Sequence, residues 1–388
     1  MIDHQNETSA TQRTSLPLKI FYTLIVVAAV IVAVYSVTRS GMPHKGNDTG
    51  QPSGDSLADL RKTDPKLIKY QEVGTIKTGF MDARGIAVGP DNHVYAVGDR
   101  KIRVFGLDGS LKSEIPLKGN AECVAVDNDG TIYTGLLDHV ELFLKDGSPS
   151  AVWESLGPRA FITSIAVTTS DVFVADAGGR VVLRYDKSGA VVKRIGEKDE
   201  ARNVPGLVIP SHHCDVAMAP DGLLRVVNPG RHRIEAYTLD GDLEQSWGRS
   251  AAGPDGFPGC CNPTDIAILA NGDVVASDKG LFRVKSYRTD GEFIGMVAGT
   301  ESFEDLFVKG DNDNFAGIDL AVLGDRILVL DPSTGTVRIY ARSNPEKPTR
   351  PTIGRTDHLA LLWDVRQTWF NGSMFTVQRL ADYECGKP

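Results

Sequence analysis

Two short stretches of the sequence hold most of the residues that could carry metal or thiol chemistry. His212, His213 and Cys214 are consecutive, and Cys260 and Cys261 form a second adjacent group. Imidazole nitrogens and thiolates are the usual ligands of zinc and copper, so the five residues together, with His232 as a possible addition, indicate a metal site. The two adjacent cysteines could instead form a vicinal disulfide in an oxidising compartment. A third alternative is buried structural thiols beside histidines that make ordinary loop hydrogen bonds.

Three aspartates recur at one position of a repeated phrase. Asp215, Asp265 and Asp319 each stand two residues before the alanine of a short apolar triplet. Carboxylates held close together repel each other unless a cation lies between them, and calcium or another cation in the channel would supply this. The interpretation that we favour is that each aspartate caps its own d–a turn, as aspartates commonly do.

The apolar triplets occur six times and define the elements that must position these residues. Their alanines are 38 to 54 residues apart, and the triplets are Ile86–Val88, Val124–Val126, Ile165–Val167, Val216–Met218, Ile266–Ile268 and Leu320–Val322. Each triplet is followed by a turn and by further short strands, with Asp-Gly or Ser-Gly turns between the last two strands. A repeat of this length built only from strands predicts an all-β, six-bladed β-propeller with four-stranded antiparallel blades.

The ends of the repeat region predict how the ring closes. The sixth repeat lacks a fourth strand, whereas an isolated strand at residues 70–79 precedes the first repeat. We expect this N-terminal strand to complete the last blade, which leaves no open sheet edge at the junction.

The repeats resemble those of the NHL-repeat family of six-bladed propellers over residues 70–343. The resemblance is carried by the alanine-centred strand, by the apolar run before Asp99, Asp176, Asp278 or Asp331, and by a following motif such as Arg180-Val181 with Tyr185. It implies a module that binds a protein, peptide or glycan. One similar group, the peptidyl-hydroxyglycine amidating lyases, holds zinc through histidines at the channel mouth, but this chain has cysteines in place of that spread of histidines.

Strand direction assigns the loops to two faces of the predicted propeller. With the strands of a blade lettered a to d from the axis outwards, the d–a and b–c loops share one face and the a–b and c–d turns share the other. The histidine and cysteine groups fall in neighbouring d–a loops. Asn228, which replaces the usual aspartate at the end of strand b, falls on the same face. We therefore expect function at this mouth of the axial channel.

The N-terminal part of the sequence predicts membrane attachment. Residues 20–37 are uncharged and almost wholly apolar, long enough to span a bilayer as a helix. We interpret residues 16–37 as an uncleaved transmembrane signal anchor, with a cleaved signal peptide as the alternative. Residues 1–15 would then be a cytoplasmic tail, residues 38–66 a flexible linker and residues 67–343 a propeller on the periplasmic or extracytoplasmic side. Residues 344–388, which contain Trp363 and Trp369, are expected to pack on the propeller.

Composition narrows the possible functions. The net charge of −8 and the pI near 5.5 argue against nucleic acid as a partner. The sequence contains no G-x-S-x-G or H-E-x-x-H motif. The hypothesis is therefore a single-pass, membrane-anchored binding or scaffold module that takes a protein or peptide ligand on the d–a and b–c loop face. The alternatives are a zinc- or copper-dependent enzyme and a thiol or copper redox protein.

Overall fold

The structure is a computed structural model that describes residues 60–303, 305–306, 317–343, 368–370 and 373–375. The chain divides into two compact units, residues 1–60 and 61–388, and every described residue except Leu60 belongs to the second. The predicted tail, the predicted membrane span and most of the predicted linker lie outside the described residues. Within the described part of the chain, no helix has the length and apolar character needed to cross a membrane.

Six four-stranded antiparallel sheets confirm the predicted six-bladed propeller. Twenty-four strands build the blades, in chain order β1 (Tyr70–Lys77), β2 (Ala83–Val88), β3 (Val94–Gly98), β4 (Lys101–Phe105), β5 (Leu111–Pro116), β6 (Ala121–Val126), β7 (Ile132–Leu136), β8 (Val140–Phe143), β9 (Pro149–Val152), β10 (Ile162–Val167), β11 (Asp171–Asp176), β12 (Val181–Asp186), β13 (Val191–Ile195), β14 (Val216–Met218), β15 (Leu224–Asn228), β16 (Arg233–Tyr237), β17 (Leu243–Trp247), β18 (Asp265–Ile268), β19 (Val274–Asp278), β20 (Arg283–Tyr287), β21 (Phe293–Ala298), β22 (Asp319–Leu323), β23 (Arg326–Asp331) and β24 (Thr336–Arg342). Blades one to five take four consecutive strands each, starting from β2. A separate hairpin joins β25 (Thr368–Phe370) to β26 (Ser373–Phe375).

The N-terminal strand closes the ring as predicted. The sheet of blade six has the order β1-β24-β23-β22, so its outermost strand comes from the start of the propeller and the other three come from its end. Within the β1–β24 pair, Ile76 lies opposite Val337. Since the two ends of the propeller region are held in one sheet, opening the ring requires this antiparallel ladder to break.

The chain contacts the propeller before β1 begins. The Thr63 amide donates to Glu301 Oε1 at 2.7 Å, and the Lys69 amide donates to the Met296 carbonyl at 2.9 Å. A 3₁₀ turn at Pro65–Leu67 connects these contacts, and Asp64 caps it by accepting from the Lys66 amide. The end of the predicted linker therefore lies against blade five.

The core consists of six apolar clusters, one between each pair of neighbouring blades. Each blade faces two neighbours, so both faces of its central strands are covered. For example, every residue of β11 and β15 is buried. This explains why strand b reads as a continuous apolar run rather than an alternating one.

Ring closure leads to a stability prediction. Ile76 is fully buried between blades six and one, whereas Val73 in the same strand is 48% exposed. We expect Ile76→Ala to lower the free energy of unfolding by about 2–5 kcal/mol, because it leaves a cavity in the closing blade. The matched control Val73→Ala should change it by less than about 1 kcal/mol, and urea unfolding measures both. Equal effects of the two substitutions would show that β1 does not hold the ring closed.

Candidate functional site

A polar cavity of about 330 Å³ opens at the axial mouth on the face formed by the d–a loops. One residue from each blade contributes to its wall, at the position three residues before the alanine of the apolar triplet. These six residues are Arg84, Glu122, Thr163, Cys214, Thr264 and Ile318. The remaining lining residues come from the same loops and from the next position in the repeat, and they are Phe161, His212, His213, Asp215, Asp265, Gly317 and Asp319.

A stacked aromatic pair forms one side of the cavity. The rings of Phe161 and His212 lie with centroids 4.1 Å apart and planes at 13°. Asp176, at the end of strand b, positions this pair because its Oδ1 accepts from the amides of Phe161 and Gly179, both at 2.9 Å. Asp176 thus holds both its own turn and the preceding d–a loop.

His213 presents a neutral imidazole to the cavity. Burial, followed by the nearby positive charges of Lys279 and His212, lowers the pKa of His213 to about 4. None of the described residues hydrogen-bonds to either of its ring nitrogens. Gly317 faces the ring, and a Cβ added there would lie 3.3 Å from His213 Cε1. Any larger residue at position 317 would therefore crowd the imidazole.

The cysteines of the predicted metal patch do not share the histidines' environment. The Cys214 thiol contacts the Val227 carbonyl at 3.7 Å and belongs to the apolar cluster between blades three and four. Cys260 is exposed and Cys261 is buried, and both are free thiols whose Sγ atoms are 2.9 Å apart. Cys261 lies beside Ser211, and burial followed by the Cys260 thiol raises its pKa.

His232 is placed apart from the other candidate ligands. It follows the short 3₁₀ turn Pro229–Arg231 in a left-handed conformation, and it is not among the residues that line the cavity. Across the described residues there is no group of three or more His, Cys, Asp or Glu side chains placed to hold a metal ion. The structure therefore brings His212, His213 and Cys214 to the lining of the cavity, with the Cys214 thiol against the Val227 carbonyl, and leaves Cys260, Cys261 and His232 outside that lining.

The three aspartates converge on the floor of the cavity, and each bonds to the next blade. Asp215 accepts from the Ile266 amide at 2.7 Å, and Asp265 accepts from the Leu320 amide at 3.0 Å. Asp319 continues the series around the ring by accepting from the Ile86 amide of blade one at 2.6 Å. The expectation that each aspartate caps only its own turn is therefore wrong, because these bonds tie successive blades together around the axis.

The other blades use smaller side chains at the same position. Ser164 of blade three accepts from the Val216 amide at 3.3 Å. Blades one and two have Gly85 and Cys123 there, and a Cβ on Gly85 would lie 3.2 Å from the Cys123 Cα. Half of the ring thus carries carboxyl groups, and at Gly85 in the other half the neighbouring backbone leaves little room for any side chain.

Crowding changes the protonation of these carboxyl groups. Burial raises the pKa of Asp215 to about 6 and that of Asp319 to about 7. The pKa of Asp265 is raised well above its usual range, first by burial and then by the charges of Asp215 and Asp319. The side chains of Asp265 and Asp319 also interact with each other, so the raised pKa values favour a protonated carboxyl group in this pair.

The same carboxyl groups separate the mouth cavity from the channel behind it. The channel space of about 290 Å³ is lined by the apolar triplets of all six blades together with Asp215, Asp265 and Asp319. The inner channel presents apolar triplet side chains, but its exposed lining, like that of the mouth cavity, is more polar than apolar. A ligand entering from the d–a face therefore meets the carboxyl groups at the boundary between the two spaces.

Sequence reasoning missed the wall residues other than Cys214. Arg84 and Glu122 form an ion pair at 3.2 Å, and Thr163 donates to the Cys214 carbonyl. The signal was available in the repeat, because all of them stand at the position directly before the aspartate position. Their ordinary residue types drew no attention, whereas the unusual His and Cys residues did.

Comparisons with known proteins support the fold and leave the function open. No protein-family model and no curated protein sequence matches the chain. A Bacteroides thetaiotaomicron protein of unknown function is similar in structure, with 16% identity and a TM-score of 0.51 over 70% of this chain and 75% of that one. A catalytically inactive variant of virginiamycin B lyase from Staphylococcus aureus, solved with quinupristin, has 13% identity and a TM-score of 0.49 over 70% of this chain and 99% of that one. At such identities the similarity concerns the fold alone.

The raised pKa of Asp319 predicts a pH dependence of stability. The folded protein binds an extra proton between the ordinary aspartate pKa near 4 and about 7, so unfolding should become easier as the pH rises through that window. Asp319→Asn keeps an acceptor for the Ile86 amide and cannot ionise. It should flatten this dependence and stabilise the protein at pH 8 by about 2 kcal/mol.

Thermal unfolding between pH 5 and pH 8 checks this prediction. The control is Asp290→Asn, which changes an exposed turn residue that accepts from the Glu292 amide. That substitution should leave the pH profile of the wild type unchanged. If Asp319→Asn proves less stable than the wild type at pH 8, the carboxyl group is not held there at an energetic cost.

Proposed function

We propose that this protein is an exported, membrane-anchored binding module of the NHL type that takes a polar group of its ligand into the axial mouth cavity. The observation that carries the proposal is the cavity itself, which is polar, open on one face and lined by one wall residue from every blade. Its volume of about 330 Å³ lies at the lower end of the range of ligand pockets. It suits one side chain, a chain terminus or a small molecule.

The arrangement of the histidines and cysteines favours binding over metal-dependent catalysis. A zinc site needs about three protein ligands around one ion. His212, His213 and Cys214 all line the cavity, but the Cys214 thiol contacts the Val227 carbonyl, and no three potential ligands among the described residues surround one point. This gives a zinc- or copper-dependent enzyme less support than a binding module.

The cellular setting belongs to the same proposal. The apolar segment of residues 20–37 supports a single-pass signal anchor, with the propeller on the periplasmic or extracytoplasmic side. A tether of about thirty residues of Gly-, Pro- and Ser-rich sequence would let the d–a face reach a protein or peptide partner near the membrane. The negative net charge agrees with a partner other than nucleic acid.

Blocking the cavity tests the binding function. We would screen the purified full-length protein by saturation-transfer NMR against a set of small neutral, cationic and anionic solutes. Solutes that occupy the mouth should lose their signal in Thr163→Trp, because the indole would fill the cavity. They should keep it in Thr131→Trp, a matched change in an a–b turn on the opposite face. Hits that survive Thr163→Trp, or a complete lack of hits, would rule out the cavity as the binding site.

A thiol redox role is the second candidate, and the contact between Cys260 and Cys261 supports it. Two thiols with sulfurs 2.9 Å apart need little movement to form a disulfide. Burial raises the pKa of Cys123 and Cys214, which keeps those two thiols protonated and unreactive.

Alkylation and metal analysis together separate the three functional alternatives. With iodoacetamide under native conditions, we expect exposed Cys260 to react first and Cys123 and Cys214 to react only after unfolding, as peptide mass spectrometry would show. Absence of both Cys260 and Cys261 from the labelled set before reduction would support the disulfide. About one equivalent of zinc or copper, lost in a Cys260→Ser/Cys261→Ser variant, would support the metal alternative. Cys260→Ser alone serves as the control for the labelled peptide.

A further inference from the structure

The charge balance of the mouth cavity is negative. Asp215, Asp265 and Asp319 lie on its floor and Glu122 in its wall. Arg84 is the only lysine or arginine among the described lining residues. It is already paired with Glu122 at 3.2 Å and with Asp82 at 2.8 Å. No basic side chain is therefore left to balance the floor carboxyl groups.

His213 adds an unused hydrogen-bonding group to this negative floor. It lines the same cavity, and no described residue bonds to its ring nitrogens. The nearby positive charge of Lys279 and the surrounding desolvation both oppose protonation of the ring. A neutral imidazole keeps one lone pair free to accept a hydrogen bond. The cavity thus offers carboxyl and imidazole acceptors together, which complement a group that has several N–H donors and a positive charge.

The size and walls of the cavity favour an organic cation over a bare metal ion. A space of about 330 Å³ is far larger than a single ion requires. No three potential ligand side chains among the described residues are placed around one point. The Phe161 ring, which stacks on His212, adds an apolar surface to the same cavity for the carbons attached to an ammonium group.

We propose that the mouth cavity binds a protonated amine, which donates hydrogen bonds to the carboxyl groups of Asp265 and Asp319 and to the His213 ring. The proposal rests on the proposed binding function and names the chemical class of its ligand. The amine belongs either to a free small molecule or to a lysine side chain of a peptide partner. The two sources share this chemistry.

Binding of an amine at this position should release a proton. The raised pKa values of Asp265 and Asp319 favour a protonated carboxyl group in this pair, and a bound ammonium group would take over the role of that proton in neutralising it. The other titratable or charged groups around the pair are Asp215, Glu122, Arg84, Cys123, His212 and His213, with Lys279 beyond His213. Because the proton competes with the ligand, the affinity for amines should rise with pH through the neutral range, by at most tenfold per unit for one proton.

The experiment compares two probes of nearly equal shape on the purified full-length protein. Benzylamine is protonated throughout the range tested, whereas benzyl alcohol is uncharged. By isothermal titration calorimetry at pH 8, we expect the Kd of benzylamine to be at least tenfold lower than that of benzyl alcohol. At pH 6 the benzylamine Kd should be several-fold higher, and buffers of different ionisation enthalpy should reveal proton release. The benzyl alcohol Kd should not change with pH.

Two variants test the assigned residues. Asp319→Asn should weaken benzylamine binding about tenfold and change benzyl alcohol binding less than twofold, and His213→Phe should act in the same direction. Asp290→Asn on the exposed turn is the matched control and should affect neither probe. Circular dichroism checks that each variant is folded, and the His213 variant provides the test if the aspartate variant does not fold.

The outcomes separate this proposal from the binding function on which it rests. If both probes bind equally and Thr163→Trp abolishes both, the cavity is a binding site and the amine assignment is wrong. If neither probe binds, or if Ca²⁺ or Zn²⁺ binds at the same carboxyl groups more tightly than benzylamine, the amine assignment is also wrong. If the assignment holds, tighter binding of Nα-acetyl-lysine methylamide than of butylamine identifies a peptide partner, and the reverse identifies a free amine.

Discussion

The inner strand of every blade is an edge strand of its sheet and faces the axis. An edge strand exposes amide groups that need acceptors. In blades four to six, an aspartate in each blade supplies the acceptor for the first amide of the next triplet, with N···O distances of 2.6 to 3.0 Å. These bonds tie the inner strands of blades five, six and one to the preceding blade, and they also place three carboxyl groups around one narrow opening.

The electrostatic properties of the site follow from that structural role. The carboxyl groups of Asp265 and Asp319 cannot move apart, because each is held by an amide of the following blade. Burial raises the pKa of both groups, and the charges of Asp215 and Asp319 raise that of Asp265 further. The aspartates that accept hydrogen bonds from the backbone therefore also form a site that attracts positive charge. The smaller residues of blades one to three leave the opposite side of the opening without carboxyl groups.

The fold could be predicted from the sequence because the repeated apolar triplets indicate which residues are buried and in which order the strands follow each other. Six alanine-centred triplets gave the number of blades, and the missing fourth strand of the last repeat gave the closure by β1. The repeat also placed Asp215, Asp265 and Asp319 at one position, and the structure brings them together. It could not predict which way loop side chains point. Cys214 and His213 are adjacent in sequence, yet the thiol packs between blades while the imidazole lines the cavity. The predicted membrane anchor and exported location remain predictions.

Asn228 illustrates how a departure from a repeat can have a structural cause. Its place at the end of strand b, where other blades have aspartate, suggested a functional site nearby. In the structure Asn228 Oδ1 accepts from the Val208 amide at 2.9 Å, which is the role that Asp176 plays for Phe161. Its Nδ2 donates to Glu235 Oε1 at 3.0 Å, and Glu235 is itself buried. A carboxylate cannot donate to another carboxylate, so the buried glutamate in strand c requires an amide at this position. The neighbouring buried glutamate therefore explains Asn228. The aspartates of the channel mouth, in contrast, lie beside an open cavity.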